Sequence, residues 1–115
     1  MAREMTVPTK ITADDAWGRF ERDELIVFVD SRNEKEWAAS EVKLPGAIRV
    51  PADDVEAHLD EIPRDRSVVA YCTCPHEASS ARVAEQLAAS GFTDVHPLYG
   101  GFAAWRDAGY PLEPK

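Results

Sequence analysis

Two uninterrupted runs of apolar, β-prone residues most constrain what this chain can become: LIVFV at 25–29 and SVVAYC at 67–72. Neither alternates polar with apolar. Each is therefore expected to be a strand covered on both faces, as in a parallel sheet with helices on either side. The stretches between them carry helical signals. Thr12 followed by Asp15 predicts a capped helix with Trp17 and Phe20 facing inward. Residues 33–40 predict a short helix with Trp37 as its core anchor. Asp53 or Asp54 is placed to cap a helix running to about Ile62, where Pro63 stops it. In SSARVAEQLAASG (79–91), Ala81, Val83, Ala84, Leu87 and Ala88 fall at helical spacing and Gly91 ends the pattern. A last helix is expected in GGFAAWRDAG (100–109), with Phe102 and Trp105 on one face. Shorter strands are expected near Ile11, at 47–50 after the Pro45-Gly46 turn, and at 94–98. Strands alternating with helices predict an α/β fold built on a central parallel sheet with helices on both faces.

A chain of 115 residues predicts one domain with a core of its own, here an arm at 1–10 and a domain at 11–115. A formal net charge of −8 argues against nucleic acid and anionic membrane surfaces as partners. No stretch approaches the ~20 apolar residues of a membrane span, and the first residues lack the apolar core of an export signal. A cytoplasmic setting, in which thiols stay reduced, is the expectation.

The only two cysteines stand two apart, in CTCPHEASSAR at 72–82. Cys72 ends a predicted strand, and a helix begins a few residues later. Ligands of parallel sheets bind beyond the carboxyl ends of the strands. Helix N-termini offer free N–H groups, which lower a cysteine pKa from about 8.5 into the range of about 3.5–7.5. The loop Thr73, Cys74, Pro75, His76, Glu77, Ala78 and Ser79 is able to curl around a sulfur at Cys72, with Ser79 and Ser80 both able to cap and donate. A buried strand-end cysteine without chemistry is the plainer alternative.

Three chemistries compete. A metal site made by Cys72, Cys74 and His76 has the wrong spacing and no second cysteine pair, and His58 and His96 are isolated, so no metal or other cofactor is expected. A phosphatase-like loop needs an arginine six places after its cysteine, to clamp an oxyanion. That place holds Ala78 counted from Cys72 and Ser80 counted from Cys74. Sulfur transfer needs only a nucleophile and donors for a persulfide's charge.

Several dispersed segments then resemble one family in order. They are FVDSRNEKEW (28–37), LPGAIRVP (44–51), VVAYC (68–72) and SARVAEQLAASGFTDVHPLYGGFAAWRDAGYPL (80–112). Together they make the chain similar to a single-domain rhodanese over nearly its whole length. The resemblance implies a rhodanese-like fold with about five parallel strands. It also implies a sulfurtransferase that moves sulfane sulfur from a donor such as thiosulfate to a thiol or cyanide through a Cys72 persulfide, with a protein donor or acceptor as a further option. Two features depart from the family pattern. The loop after Cys72 is longer, without glycine, and carries Glu77, a carboxylate that disfavours a dianionic donor. Val42-Lys43 stand where a histidine often precedes the Pro-Gly-Ala turn.

The remaining candidates have structural roles first. Asp30 and Arg32 are expected to brace the loop by hydrogen bonds. Arg82 is expected on a solvated helix face, with the pocket as its second placement. Cys74 is either packing in the loop wall or a resolving thiol that closes a strained disulfide with Cys72. The competing function is a non-catalytic redox-sensing or partner-docking module using Cys72 and Cys74.

Overall fold

The computed structural model describes residues 9–22, 25–73 and 78–115. The arm at 1–8 and the loop residues Cys74, Pro75, His76 and Glu77 lie outside the described residues, as do the side chains of Ala78 and Ser79. The chain runs through α1 (Ala13–Glu21), β1 (Ile26–Asp30), α2 (Glu34–Ala39), β2 (Val42–Lys43), β3 (Ile48–Arg49), a 3-10 helix (Val55–Glu61), β4 (Ser67–Tyr71), α3 (Ala78–Ala89), β5 (Val95–Pro97), α4 (Gly101–Asp107) and β6 (Glu113–Pro114). The main sheet is parallel with strand order β3-β1-β4-β5. A single parallel bridge between Ile11 and Leu98 extends its edge beyond β5. A small antiparallel pair, β2 with β6, stands apart. This is the expected rhodanese-like α/β architecture of roughly five strands flanked by helices.

The continuous apolar runs are explained by burial on both faces. Along β1 and β4, alternate residues feed two separate cores, because side chains in a strand switch face at each step. Ile26, Phe28, Val69 and Tyr71 join Ala16, Leu98, Phe102 and Trp105 beneath α1 and α4. Val29, Val68 and Ala70 join Val55, Val83, Ala84, Leu87 and Phe92 beneath α3 and the 3-10 helix. Thr12 caps α1, its hydroxyl accepting from Asp15 N at 3.1 Å, and Asn33 does the same for Glu36 at the start of α2.

Three local expectations need correction. The segment after Asp54 is a 3-10 helix rather than an α-helix, and Asp54 makes no side-chain cap bond. This connection must return from the carboxyl end of β3 to the amino end of β4. A 3-10 helix advances about 2.0 Å per residue against about 1.5 Å for an α-helix, so it covers that distance with fewer residues. Trp37 is not a core anchor: no residue of α2 is buried. The helix is too short and charged to reach the core, and the Trp37 ring lies 5.0 Å from the Arg49 guanidinium and 3.7 Å from Lys115 Nζ. Ala88 is exposed, leaving Val83, Ala84 and Leu87 as the buried face of α3.

Candidate active site

β4 is buried along its whole length and delivers Cys72 to the carboxyl edge of the sheet. The backbone is pinned on both sides of that point. Ser31 donates to the Tyr71 carbonyl twice, through its N–H at 2.9 Å and its hydroxyl at 2.8 Å. Phe102 N–H donates to the Cys72 carbonyl at 2.8 Å. The α4 start can come so close only because residue 101 has no side chain: a Cβ there would stand 2.3 Å from the Cys72 oxygen, at a φ of +62°. Gly101→Ala is therefore expected to cost at least about 2 kcal/mol, combining the left-handed backbone with a clash against rigid main chain. Chemical denaturation of the variant beside the parent checks this, and an unchanged midpoint would contradict it.

The Cys72 thiol donates to the Ser80 hydroxyl at 3.7 Å, and both side chains are buried. Ser80 belongs to the first turn of α3, so the helix that follows the loop returns a hydroxyl to the sulfur that precedes it.

Beside Cys72, the end of β1 carries a buried ion pair. Asp30 is the register partner of Tyr71. Its carboxylate accepts from Arg32 Nε at 3.0 Å and from Arg32 Nη2 at 2.6 Å, while Arg32 Nη2 also donates to the Val42 carbonyl. The Arg32 guanidinium lies 4.9 Å from the Phe102 ring and 5.6 Å from the Tyr71 ring. Burial opposes its charge, but the hydrogen bonds and negative charge of Asp30 prevail and hold its pKa above the ordinary guanidinium value. Arg49 clamps the same strand end, with Nη1 donating to the carbonyls of Asp30 and Arg32. Its pKa is lowered, chiefly by burial, with Arg32 adding repulsion. Burial, then the charge of Asp30, raises the Tyr71 hydroxyl far above the usual phenol range, so it stays neutral and accepts from Leu44 N–H at 3.2 Å.

A cleft of about 500 Å³ opens at this edge of the sheet. It is walled by Arg32, Asn33, Glu34 and Trp37 on one side, Arg49, Pro51, Ala52, Asp53 and Asp54 on another, and Arg82 from α3. Among the sequence candidates, Asp30, Arg32, Cys72 and Thr73 are described together at the carboxyl ends of β1 and β4, and Arg82 is exposed while lining the cleft. Cys74, Pro75, His76 and Glu77 fall outside the described residues, as do the side chains of Ala78 and Ser79. Cys72 is only 1% exposed and, among the described residues, is not part of the cleft wall. Arg49 and Trp37 were missed as site residues. The available signal for Arg49 was a basic residue at the end of a strand close in sequence to the Asp30-Arg32 pair.

No described helix is long and apolar enough to cross a membrane. The family model of the rhodanese-like domain matches residues 12–108. The chain is 29% identical over 105 residues to the protein named thiosulfate sulfurtransferase GlpE of Actinobacillus succinogenes, covering 91% of this chain and 90% of that one. It is 31% identical over 103 residues to a protein of Allochromatium vinosum named sulfurtransferase, covering 90% and 92%. Among solved structures, a rhodanese-like domain protein from Staphylococcus aureus superposes with a TM-score of 0.75 at 29% identity, covering 93% of this chain and 98% of that one. With its strand-end cysteine, its bonded Asp30-Arg32 pair and a family match spanning most of its length, the chain belongs to the rhodanese-like domain family.

Proposed function

We propose that the protein is a sulfurtransferase in which Cys72 carries the sulfur. The observation that supports this most is the placement of Cys72 Sγ at the end of β4, 3.7 Å from the Ser80 hydroxyl, on a backbone held by Ser31 and Phe102. Two relatives whose names are thiosulfate sulfurtransferase and sulfurtransferase support the same reading.

In the first half-reaction the Cys72 thiolate attacks the outer sulfur of a donor such as thiosulfate. A new S–S bond forms, the donor's S–S bond breaks, and sulfite leaves with its electron pair. The enzyme now holds a persulfide, whose terminal sulfur is negatively charged. In the second, a thiolate or cyanide attacks that terminal sulfur, and Cys72 departs as a thiolate, ready for another cycle. No oxidant or reductant is consumed. Ser80 assists in both directions. Its hydroxyl accepts from the neutral thiol, and it can turn to donate once the sulfur is ionised. The Asp30-Arg32-Arg49 cluster positions the adjacent strand end rather than reacting.

Intact-mass measurement after incubation with thiosulfate tests the proposal. The parent protein is expected to gain the mass of one sulfur atom, and Cys72→Ser is expected to gain none. Equal gain in both proteins would remove Cys72 from the mechanism. Loss of two hydrogens under oxidant, with no sulfur gain from any donor, would instead favour a redox-sensing module using Cys72 and Cys74.

A further inference from the structure

We infer that His96 is a proton-operated latch: its charged ring ties the backbone at Thr9 to the edge of the sheet, and loss of the ring proton loosens that edge. The inference is independent of the proposed sulfur chemistry, which does not use His96.

The hydrogen-bond geometry dictates the charge of the ring. His96 Nδ1 lies 2.8 Å from the Thr9 carbonyl oxygen, and Nε2 lies 2.6 Å from Asp94 Oδ1. A carbonyl and a carboxylate oxygen only accept, so both ring nitrogens must donate, and only the imidazolium has two N–H groups. A neutral ring has one proton to give. It serves Asp94 or Thr9, and its other nitrogen then turns a lone pair toward an oxygen. Asp94 also accepts from the Ser67 hydroxyl, to which Arg19 Nη1 donates at 3.3 Å. The Ser67 bond, with burial opposing it, and then His96 hold the Asp94 carboxyl below its ordinary value, so Asp94 remains an acceptor wherever histidine changes charge.

His96 is the register partner of Val69, whose side chain lies in the core beneath α1 and α4. The ring therefore stands on that face of the sheet, across from Arg82 and Glu85 of α3. On its own face, α1 brings Asp14, Asp15, Arg19 and Glu21, and α4 brings Arg106 and Asp107. Asp14 accepts from the Tyr110 hydroxyl, and Arg106 pairs with Asp107. Arg19 reaches the network through Ser67, and Lys10, beside Thr9, holds its Nζ 5.6 Å from the centre of the Tyr99 ring.

The segment under the latch has few other ties. Ile11 N–H donates to the Pro97 carbonyl at 2.9 Å, and Tyr99 N–H donates to the Ile11 carbonyl at 2.8 Å. With the buried Ile11 side chain, these make the parallel bridge that extends the sheet beyond β5. A further bond from a charged donor is a substantial share of what fixes such an edge. The native bonds need the bound proton and the unfolded chain has no use for it. The edge is therefore held best at acid pH and loosens as the pH rises.

Amide hydrogen exchange followed by NMR on the full chain reads this directly, with each rate corrected for the intrinsic rate at the same pH. Between about pH 5.5 and 8, the span in which histidine changes charge, protection of the Ile11 and Tyr99 amides is expected to fall about three- to tenfold, while that of Val69 in β4 holds. The fall is expected to share its midpoint with the titration of the His96 ring in the same samples. His96→Gln has no proton to lose in this span, and its protection at Ile11 and Tyr99 is expected to be independent of pH. His58→Gln is expected to behave as the parent does, since His58 faces Asp54 and Glu61 on the 3-10 helix. Titration of His96 without a fall at Ile11, an equal fall at Val69, or a His96→Gln protein that kept the pH dependence would each overturn the latch. The first two outcomes are read on the parent alone, so the test stands even if His96→Gln fails to fold.

Discussion

Asp30→Ala is expected to lower the unfolding free energy by about 3–5 kcal/mol, a large share of a small domain's stability. The Asp30 and Arg32 side chains are 1% and 0% exposed, so neither can turn to water when its partner is lost. Removing the carboxylate strands the Arg32 guanidinium, whose Nε would lose its acceptor and whose Nη2 would keep only the Val42 carbonyl. It also removes the negative charge closest to Arg49, whose Nη1 lies 4.0 Å from Asp30 Oδ1. The pair's net worth is a separate matter, because burying two charges carries its own desolvation cost. Asp30→Ala combined with Arg32→Met removes both charges and keeps an aliphatic chain against Tyr71 and Phe102. The double variant is therefore expected to regain about half or more of the loss. Urea unfolding of the two single variants and the double variant measures this coupling. A loss below about 1 kcal/mol for Asp30→Ala would contradict the description of a buried, mutually dependent pair.

The comparison of sequence with structure divides along a physical line. β1 and β4 were legible because burial on both faces leaves a continuous apolar run, and that signal is local. The Thr12 cap was legible for the same reason, since the bond it makes spans three residues. The 3-10 helix was not. Val55, Leu59 and Ile62 repeat at a spacing that suits an α-helix, and that local spacing does not distinguish it from the tighter winding observed. Trp37 was misplaced because its neighbours Arg49 and Lys115 are distant in sequence. The candidate site shows the same division. The placement of Cys72 at a strand end followed from its own segment. The close approach of α4 to its carbonyl depends on Gly101, twenty-nine positions later, and no pattern within the Cys72 segment carries it. The cleft was beyond the reach of local patterns, because residues after β1, residues after β3 and the first turns of α3 meet only once the parallel sheet has formed.

The central claim is that Cys72 forms and breaks the bond to the transferred sulfur. Steady-state conversion of thiosulfate and cyanide to sulfite and thiocyanate tests it most directly, comparing the parent protein with Cys72→Ser. A serine hydroxyl is a far weaker nucleophile at neutral pH than a thiolate, and an oxygen at this position forms no persulfide. The substitution removes one buried thiol and keeps a hydroxyl able to pair with Ser80, so the unfolding midpoint is expected to stay near that of the parent, which confirms that the variant is folded. The account predicts that kcat/KM falls at least about a thousandfold, to the level of the uncatalysed reaction. A folded Cys72→Ser protein that turned over at the parent rate would contradict it.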